Sequence, residues 1–520
     1  RLSSLSTRRL SSLSIESSNL PPNGGPSAVR RRVSDFDPMD TENSDVFLDP
    51  TLVDMNTLST VAYNYRWATL PDGVIPLTAA SSDFPVCSAI TNALKNHVDA
   101  GYFCYGPNEG LPQFRSTFAT YFTEKLVRGL AYCNNELELE QQEDNKTTLY
   151  GASSIDPGQV MATNAAAAAV YAAAAATILE PGDEALVMSP VDFLLVDSVI
   201  ALGGVVVRYS IKERLQDGDK NRPTFDLAEM ESLVTPRTRM LSICNPHNPL
   251  GRSFSYLELS ALVEFAERHK LCIVSDEVWC DVVHSPRVHL PTMCISQYAA
   301  AHTYTIFGFS KSHGLEGLRI GALIAPNEEK LAKVLMLSNT STTANGASVA
   351  AQIAAVAAMT EAGSHESGWL ASWRLHLHSC VLHTVTRLNA MDGVIANVPE
   401  ATFVVWADVS SLLYPDNDCD DDGTHLVNGD ALATVDIEPE FVLMQWLIHE
   451  HKVAIIPGLD RFFGPGSIGH IRISVATSKP ILDTALDRLE LGLKVWPTVR
   501  KRALHEARVE AVKAQSAAET

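Results

Sequence analysis

Long apolar runs are missing from this chain: the longest, AAAAAVYAAAAATIL from Ala165, falls short of the roughly 20 residues a bilayer span needs and is mostly alanine. It predicts a buried helix, and no membrane partner. Positive charge is scarce, with 40 Lys and Arg against 61 Asp and Glu. The resulting net charge of −21 argues against nucleic acid and against anionic membrane surfaces, because both need clustered cations. The nine cysteines include no CxxC pair, and their odd number suggests reduced thiols in an intracellular compartment. Cys104, Cys244 and Cys272 are expected to pack and not to react. There is no HExxH, so His247, His284, His313 and His470 read as packing or loop residues and no metal is expected.

What is present is an ordinary globular balance, 46% hydrophobic and 19% charged over 520 residues, enough for two domains around one site. Residues 1–45 predict a disordered tail, of which residues 1–34 are rich in Ser and Arg and nearly free of acids. The tail resembles an organellar transit peptide, so a cytoplasmic protein with organellar import as an alternative is expected. Arg8-Arg9-Leu10-Ser11 and Arg31-Arg32-Val33-Ser34 resemble sites for basophilic kinases. Residues 46–100 are expected to belong to a small domain, 101–335 to a large domain, 336–500 to the rest of the small domain, and 501–520 to a charged tail. An acidic insertion occupies 414–440. Its Asp418, Asp420, Asp422 and Gly423 have the opening spacing of a calcium loop, but Gly429 stands where a bidentate Glu is needed, so it reads as a solvated loop.

From about Gly151 to Asn327, strand-like runs alternate with helical patterns, the signature of an α/β fold with a mainly parallel sheet flanked by helices. EALVMSP, VVVRYSI, TRMLSICNP, LCIVSDEV, TYTIFGFS and RIGALIAP are the strands. SYLELSALVEFAERHK is a crossover helix, opened by a Ser255/Glu258 capping box. After Asn339, helices followed by TFVVWADVS, VAIIPG and HIRISVAT predict a smaller α+β domain. Three strands stop at Asn245, Asp276 and Lys311, and open α/β sheets bind ligands beyond the carboxyl ends of their strands. Lys311 is the odd one, a lone lysine following the apolar run Tyr304, Ile306, Phe307 and Phe309.

SICNPHNPLGRSF, IVSDEVW, FGFSKSHGLEGLRIG and GHIRISVAT, in that order, resemble the class I and II aminotransferases, fold type I pyridoxal-phosphate enzymes. YGPNEGLPQFR and the alanine-rich VMATNAAAAAV extend the similarity, most closely toward the branch containing 1-aminocyclopropane-1-carboxylate synthase. The resemblance implies pyridoxal 5'-phosphate bound to Lys311, with Asp276 beside its pyridine nitrogen and Asn248 on its phenolic oxygen. It implies Arg319 and the backbone near Asn164 and Ala165 on the phosphate, Arg472 on the substrate carboxylate, and Tyr105 reaching across a homodimer interface. The residues themselves suit that chemistry: an imine needs a desolvated amine, an electron sink needs a buried carboxylate, and a helix N-terminus suits an anion.

Four positions depart from the family pattern. Trp279 replaces a tyrosine near the phenolic oxygen, offering an indole NH to the cofactor, although Trp279, Trp373 and Trp406 also read as core residues. Asp192 stands where an aromatic ring stacks on the pyridine, and Phe193 could take that place only through a register shift. Gly308 replaces a serine and Ala166 a threonine. The implied activity is transfer of an amino group between an α-amino acid and a 2-oxo acid. A carbon–sulfur or 1-aminocyclopropane-1-carboxylate synthase-like lyase, or a non-catalytic relative, are the alternatives.

Overall fold

The computed structural model describes residues 53–140, 151–213, 223–340, 346–361, 368–415 and 437–519. The Ser/Arg-rich tail with its two Arg-Arg-x-Ser sites and the Asp418–Asp422 stretch lie outside them. Seven strands form the main sheet: β1 (Val160–Asn164), β2 (Glu184–Ser189), β3 (Val205–Ser210), β4 (Thr238–Cys244), β5 (Cys272–Asp276), β6 (Thr303–Gly308) and β7 (Ile320–Ile324). Their order is β1-β7-β6-β5-β4-β2-β3. β3, β2, β4, β5 and β6 pair in parallel, whereas β7 runs antiparallel to both β6 and β1.

The reversal at β7 follows from chain length. Only residues 309–319 separate β6 from β7, too few for the dozen or more that a parallel crossover takes. β1 was hidden in the sequence by the alanine run that follows it; helix α1 (Ala165–Ala175) starts at the next residue and buries Ala169, Val170 and Ala172 to Ala175. Short side chains let this helix lie close to the sheet, and they leave it with little amphipathic pattern of its own. Helix α2 (Leu194–Ala201) follows β2, and helix α3 (Tyr256–His269) carries the Ser255/Glu258 capping box.

A second sheet of four strands, β8 (Ile395–Ala396), β9 (Val404–Asp408), β10 (Ile456–Pro457) and β11 (His470–Ser474), has the order β8-β9-β11-β10 and is antiparallel. Two-residue strands at Ile75–Pro76 and Val453–Ala454 pair in parallel beside it. The final helix, α4 (Lys479–Glu519), continues through Pro497. Among the described residues, eight cysteines are free thiols; Cys244 is buried, but Cys104 is exposed in the loop after Gly101 and does not pack. His247, His284 and His313 are buried, and burial drives their imidazoles down to about 3, 4 and 4, so they are neutral in the folded state. His470, in β11, stacks on Trp406 with ring centroids 5.0 Å apart. No helix among the described residues is long and apolar enough to cross a membrane.

Candidate active site

Lys311 follows β6 by three residues, and the strand end is clamped from behind by aromatic packing. Phe307 and Phe309 are fully buried, with ring centroids 4.9 Å apart, and Phe118 packs at 5.2 Å from Phe307. Such pairs each add about 0.5–1.5 kcal/mol beyond area burial. The Lys311 Nζ donates to the Ala80 carbonyl at 2.6 Å and lies 5.4 Å from the Trp279 ring centroid. Burial pulls its pKa below the usual lysine range; Glu316, Asp192 and Asp276 oppose that fall, while Arg472 adds to it. The result is an amine easier to deprotonate than a solvated one.

Asp276 ends β5, one strand away from β6. Its Oδ1 accepts from the Val278 amide at 3.1 Å, and its other carboxylate oxygen has no hydrogen-bond partner among the described residues. Burial raises its pKa to about 7, and the Asp192 charge adds to the effect. Behind it, Glu277 is fully buried: Oε1 accepts from Ser275 Oγ at 2.9 Å and Thr292 N at 3.0 Å, and Oε2 meets His289 Nε2 at 2.7 Å. Sequence reading missed this network. Its signal was the acid next to Asp276 together with the downstream His289-Leu290-Pro291. By fixing Glu277 it fixes the turn that presents Asp276.

Asn248, Asp192 and Arg472 form a chain. Asn248 Nδ2 donates to Asp192 Oδ2 at 3.1 Å, and Arg472 Nη1 donates to Asn248 Oδ1 at 3.0 Å. Arg472 projects from β11 and thus joins the second sheet to the first. Its Nη2 lies 3.4 Å from the Thr78 carbonyl, its guanidinium sits 5.3 Å over the Phe463 ring, and its Nε is buried without a hydrogen-bond partner. Phe193 does not replace Asp192: it caps α2 and stands half exposed, so no register shift brings its ring inward. The segment from Thr78 to Ser81, unnoticed in the sequence, closes one side, with Thr78 on Arg472, Ala80 on Lys311 and Ser81 Oγ bonded to Glu316 Oε1.

Of the remaining candidates, Arg319, Asn164 and Tyr105 sit at the surface and Trp279 is buried. Arg319 is exposed with φ +55°, and its carbonyl accepts from the Ala165 amide at 3.0 Å, tying the Arg319 turn to the start of α1. Asn164 precedes α1 without a side-chain cap, so the helix amides that follow Ala165 keep their capacity to bind an anion. A Cβ on Gly321 would meet the Ala165 carbonyl carbon and Ala166 nitrogen at 2.7 Å, so only glycine lets β7 approach that helix start. Gly308 has a related role: a Cβ there would lie 3.2 Å from both Ala166 Cβ and Val278 Cγ1. Glycine at 308 and alanine at 166 therefore lie in close contact, with little room for a larger residue at either without a small shift. Trp279 is buried edge-on against Phe403 at 4.7 Å while its face meets Lys311, so it belongs to core and site alike. Tyr105 is 97% exposed, with Tyr102 and Phe103 exposed beside it, apart from the buried group.

These donors fit pyridoxal phosphate: a depressed lysine, a carboxylate with one oxygen unpartnered, an uncapped helix start beside an arginine, and an arginine Nε lacking an acceptor. The comparison with known proteins points the same way. An aspartate aminotransferase of Thermotoga maritima is 28% identical over 420 residues, covering 81% of this chain and 91% of that protein. One from Pinus pinaster is 26% identical over 458 residues, covering 86% and 81%. Among solved structures, the Thermotoga maritima aspartate aminotransferase superposes with a TM-score of 0.63 at 25% identity, covering 85% of this chain and 98% of that one. Cystalysin from Treponema denticola, whose crystal structure contains pyridoxal 5'-phosphate, shares the fold at a TM-score of 0.68 and 19% identity, covering 86% and 99%. The sequence profile of aminotransferase class I and II matches residues 72–489, most of the chain, and the protein therefore belongs to the class I and II aminotransferase family.

Proposed function

We propose that the protein is a pyridoxal-phosphate-dependent aminotransferase that moves an amino group between an α-amino acid and a 2-oxo acid, with Lys311 as cofactor anchor and proton carrier. The observation that carries this reading is the depressed Lys311 amine in one site with the Asp276 carboxylate and an Arg472 guanidinium short of an acceptor. Pyridoxal phosphate, when bound, supplies an electron sink for charge left on the substrate's α carbon. Asp276 holds a negative charge for the pyridine nitrogen, and Asn248 supplies a side-chain amide for the phenolic oxygen. Arg319 and the first amides of α1 beyond Ala165, whose own amide is taken by the Arg319 carbonyl, hold the phosphate. Arg472 orients the substrate by its carboxylate, through a planar fork that also excludes water from that end. Lys311, lowered by burial, takes the proton from the α carbon. Trp279 covers one side of the Lys311 amine, and Tyr105 serves the site of a second copy in a homodimer.

The test is a visible spectrum of the protein with added pyridoxal phosphate, followed by borohydride reduction and peptide mapping, on wild type and Lys311→Ala. A band that reduction fixes to Lys311, absent from the variant, is the expected outcome; a label on another residue, or none, sinks the reading. Trp279, where a tyrosine is usual, favours a lyase on the same scaffold as the second reading. Product formation that requires a 2-oxo acid acceptor selects the aminotransferase, and keto-acid release without an acceptor selects the lyase.

A further inference from the structure

Two polar atoms in the site are buried and lack hydrogen-bond partners, and they carry opposite charge: Arg472 Nε and Glu316 Oε2. Arg472 is 6% exposed, and the aminotransferase reading uses its guanidinium for the substrate's α-carboxylate. Glu316 has no part in that reading. It opens the short turn Glu316–Leu318 between Lys311 and Arg319, and its Oε1 is held by Ser81 Oγ. The segment that holds it also lines the rest of the site, since Ala80 accepts from Lys311 and the Thr78 carbonyl faces Arg472. Thr78 and Ser81 are three residues apart, so at most about 10 Å of chain separates the two contact points.

We propose that Glu316 selects the substrate, taking the distal ammonium or guanidinium of a basic α-amino acid whose carboxylate is held by Arg472. The proposal rests on the aminotransferase reading and adds the substrate class to it. A ligand with one anionic and one distal cationic end answers both unpartnered atoms, as lysine, ornithine or arginine would. Glu316 and Asp192 both face Lys311 electrostatically, so an acidic side chain would enter against two like charges. A neutral side chain of equal length would leave the Glu316 oxygen buried and unsatisfied, and that is the basis of discrimination.

The experiment uses the holoenzyme reconstituted with pyridoxal phosphate and follows the cofactor spectrum on titration with L-lysine, L-ornithine, L-arginine, L-norleucine and L-aspartate. Lysine binds about ten-fold or more tightly than norleucine, which lacks the terminal ammonium, and Glu316→Gln brings that ratio to about one. Wild type that binds norleucine or aspartate as well as lysine overturns the proposal, and this arm needs no variant to fold. So does a Glu316→Gln protein that keeps the ratio but shifts the pH titration of the cofactor band, for then Glu316 serves Lys311 and not the substrate. A missing band, with no borohydride label on Lys311, is the separate failure of the aminotransferase reading itself.

Discussion

The buried centre of the site and its exposed rim are built on different principles. At the centre, Lys311, Asp276, Asn248 and Arg472 are tuned by desolvation and by one another, so that Asp276 reaches about 7 and Lys311 falls below its usual range. At the rim, Arg319 is exposed and Tyr105 is 97% exposed, where water screens a charge and a side chain gains little from its neighbours. The centre is preorganised by the chain itself. The rim, in the proposed function, acts through partners that bring their own charge or surface: a phosphate at Arg319 and a second subunit at Tyr105.

That contrast predicts a graded series of effects. Lys311→Ala, which removes anchor and base at once, should lower transamination about 10⁴-fold or more in a coupled assay, the upper end for a positioned base. An activity loss below ten-fold would mean that another group carries the proton. Next comes Asp276. Its folded pKa is raised from 3.8 to about 7, so the native state keeps a proton that the unfolded chain has released between those values. The cofactor-free protein should therefore lose stability as pH rises through that window, by about 1.4 kcal/mol per pH unit, relative to Asp276→Asn. Thermal melts of both proteins from pH 5 to 8 measure the difference, and parallel curves would remove Asp276 from the buried centre.

Arg472→Ala should raise KM for the amino acid and cut kcat/KM about 10- to 100-fold, with the cofactor band retained. A loss of the band instead would place Arg472 on the cofactor side. The smallest effect belongs to the rim: Arg319→Ala should weaken pyridoxal-phosphate affinity by about ten-fold or less, and high salt should shrink the gap between variant and wild type, because an exposed pair is screened. A salt-independent loss as large as that at Arg472 would erase the distinction between rim and centre.

Much of the centre was legible because the chemistry is encoded in local runs. Lys311 follows an apolar strand, Asp276 closes LCIVSD, and the Ser255/Glu258 capping box marks α3 where the helix begins. Short continuous apolar runs mark strands buried on both faces of a mainly parallel sheet, so the strands from β2 to β7 could be read directly. β1 could not, because five residues before an alanine helix carry no contrast. Cys104 was expected to pack but lies exposed, since a loop residue's burial depends on what folds over it.

The sequence by itself determined the family, the α/β alternation and the residue types that the chemistry needs, because strand ends, caps and motifs are properties of neighbours along the chain. Only the tertiary structure decided which residues share the site. Thr78 to Ser81 meet Lys311, Glu316 and Arg472 across more than 200 positions, and Asp192 meets Asn248 across 56. No period or spacing encodes such contacts. They arise when the chain folds strand ends and loops from distant segments together, and that burial also sets the charge states of Asp276 and Lys311.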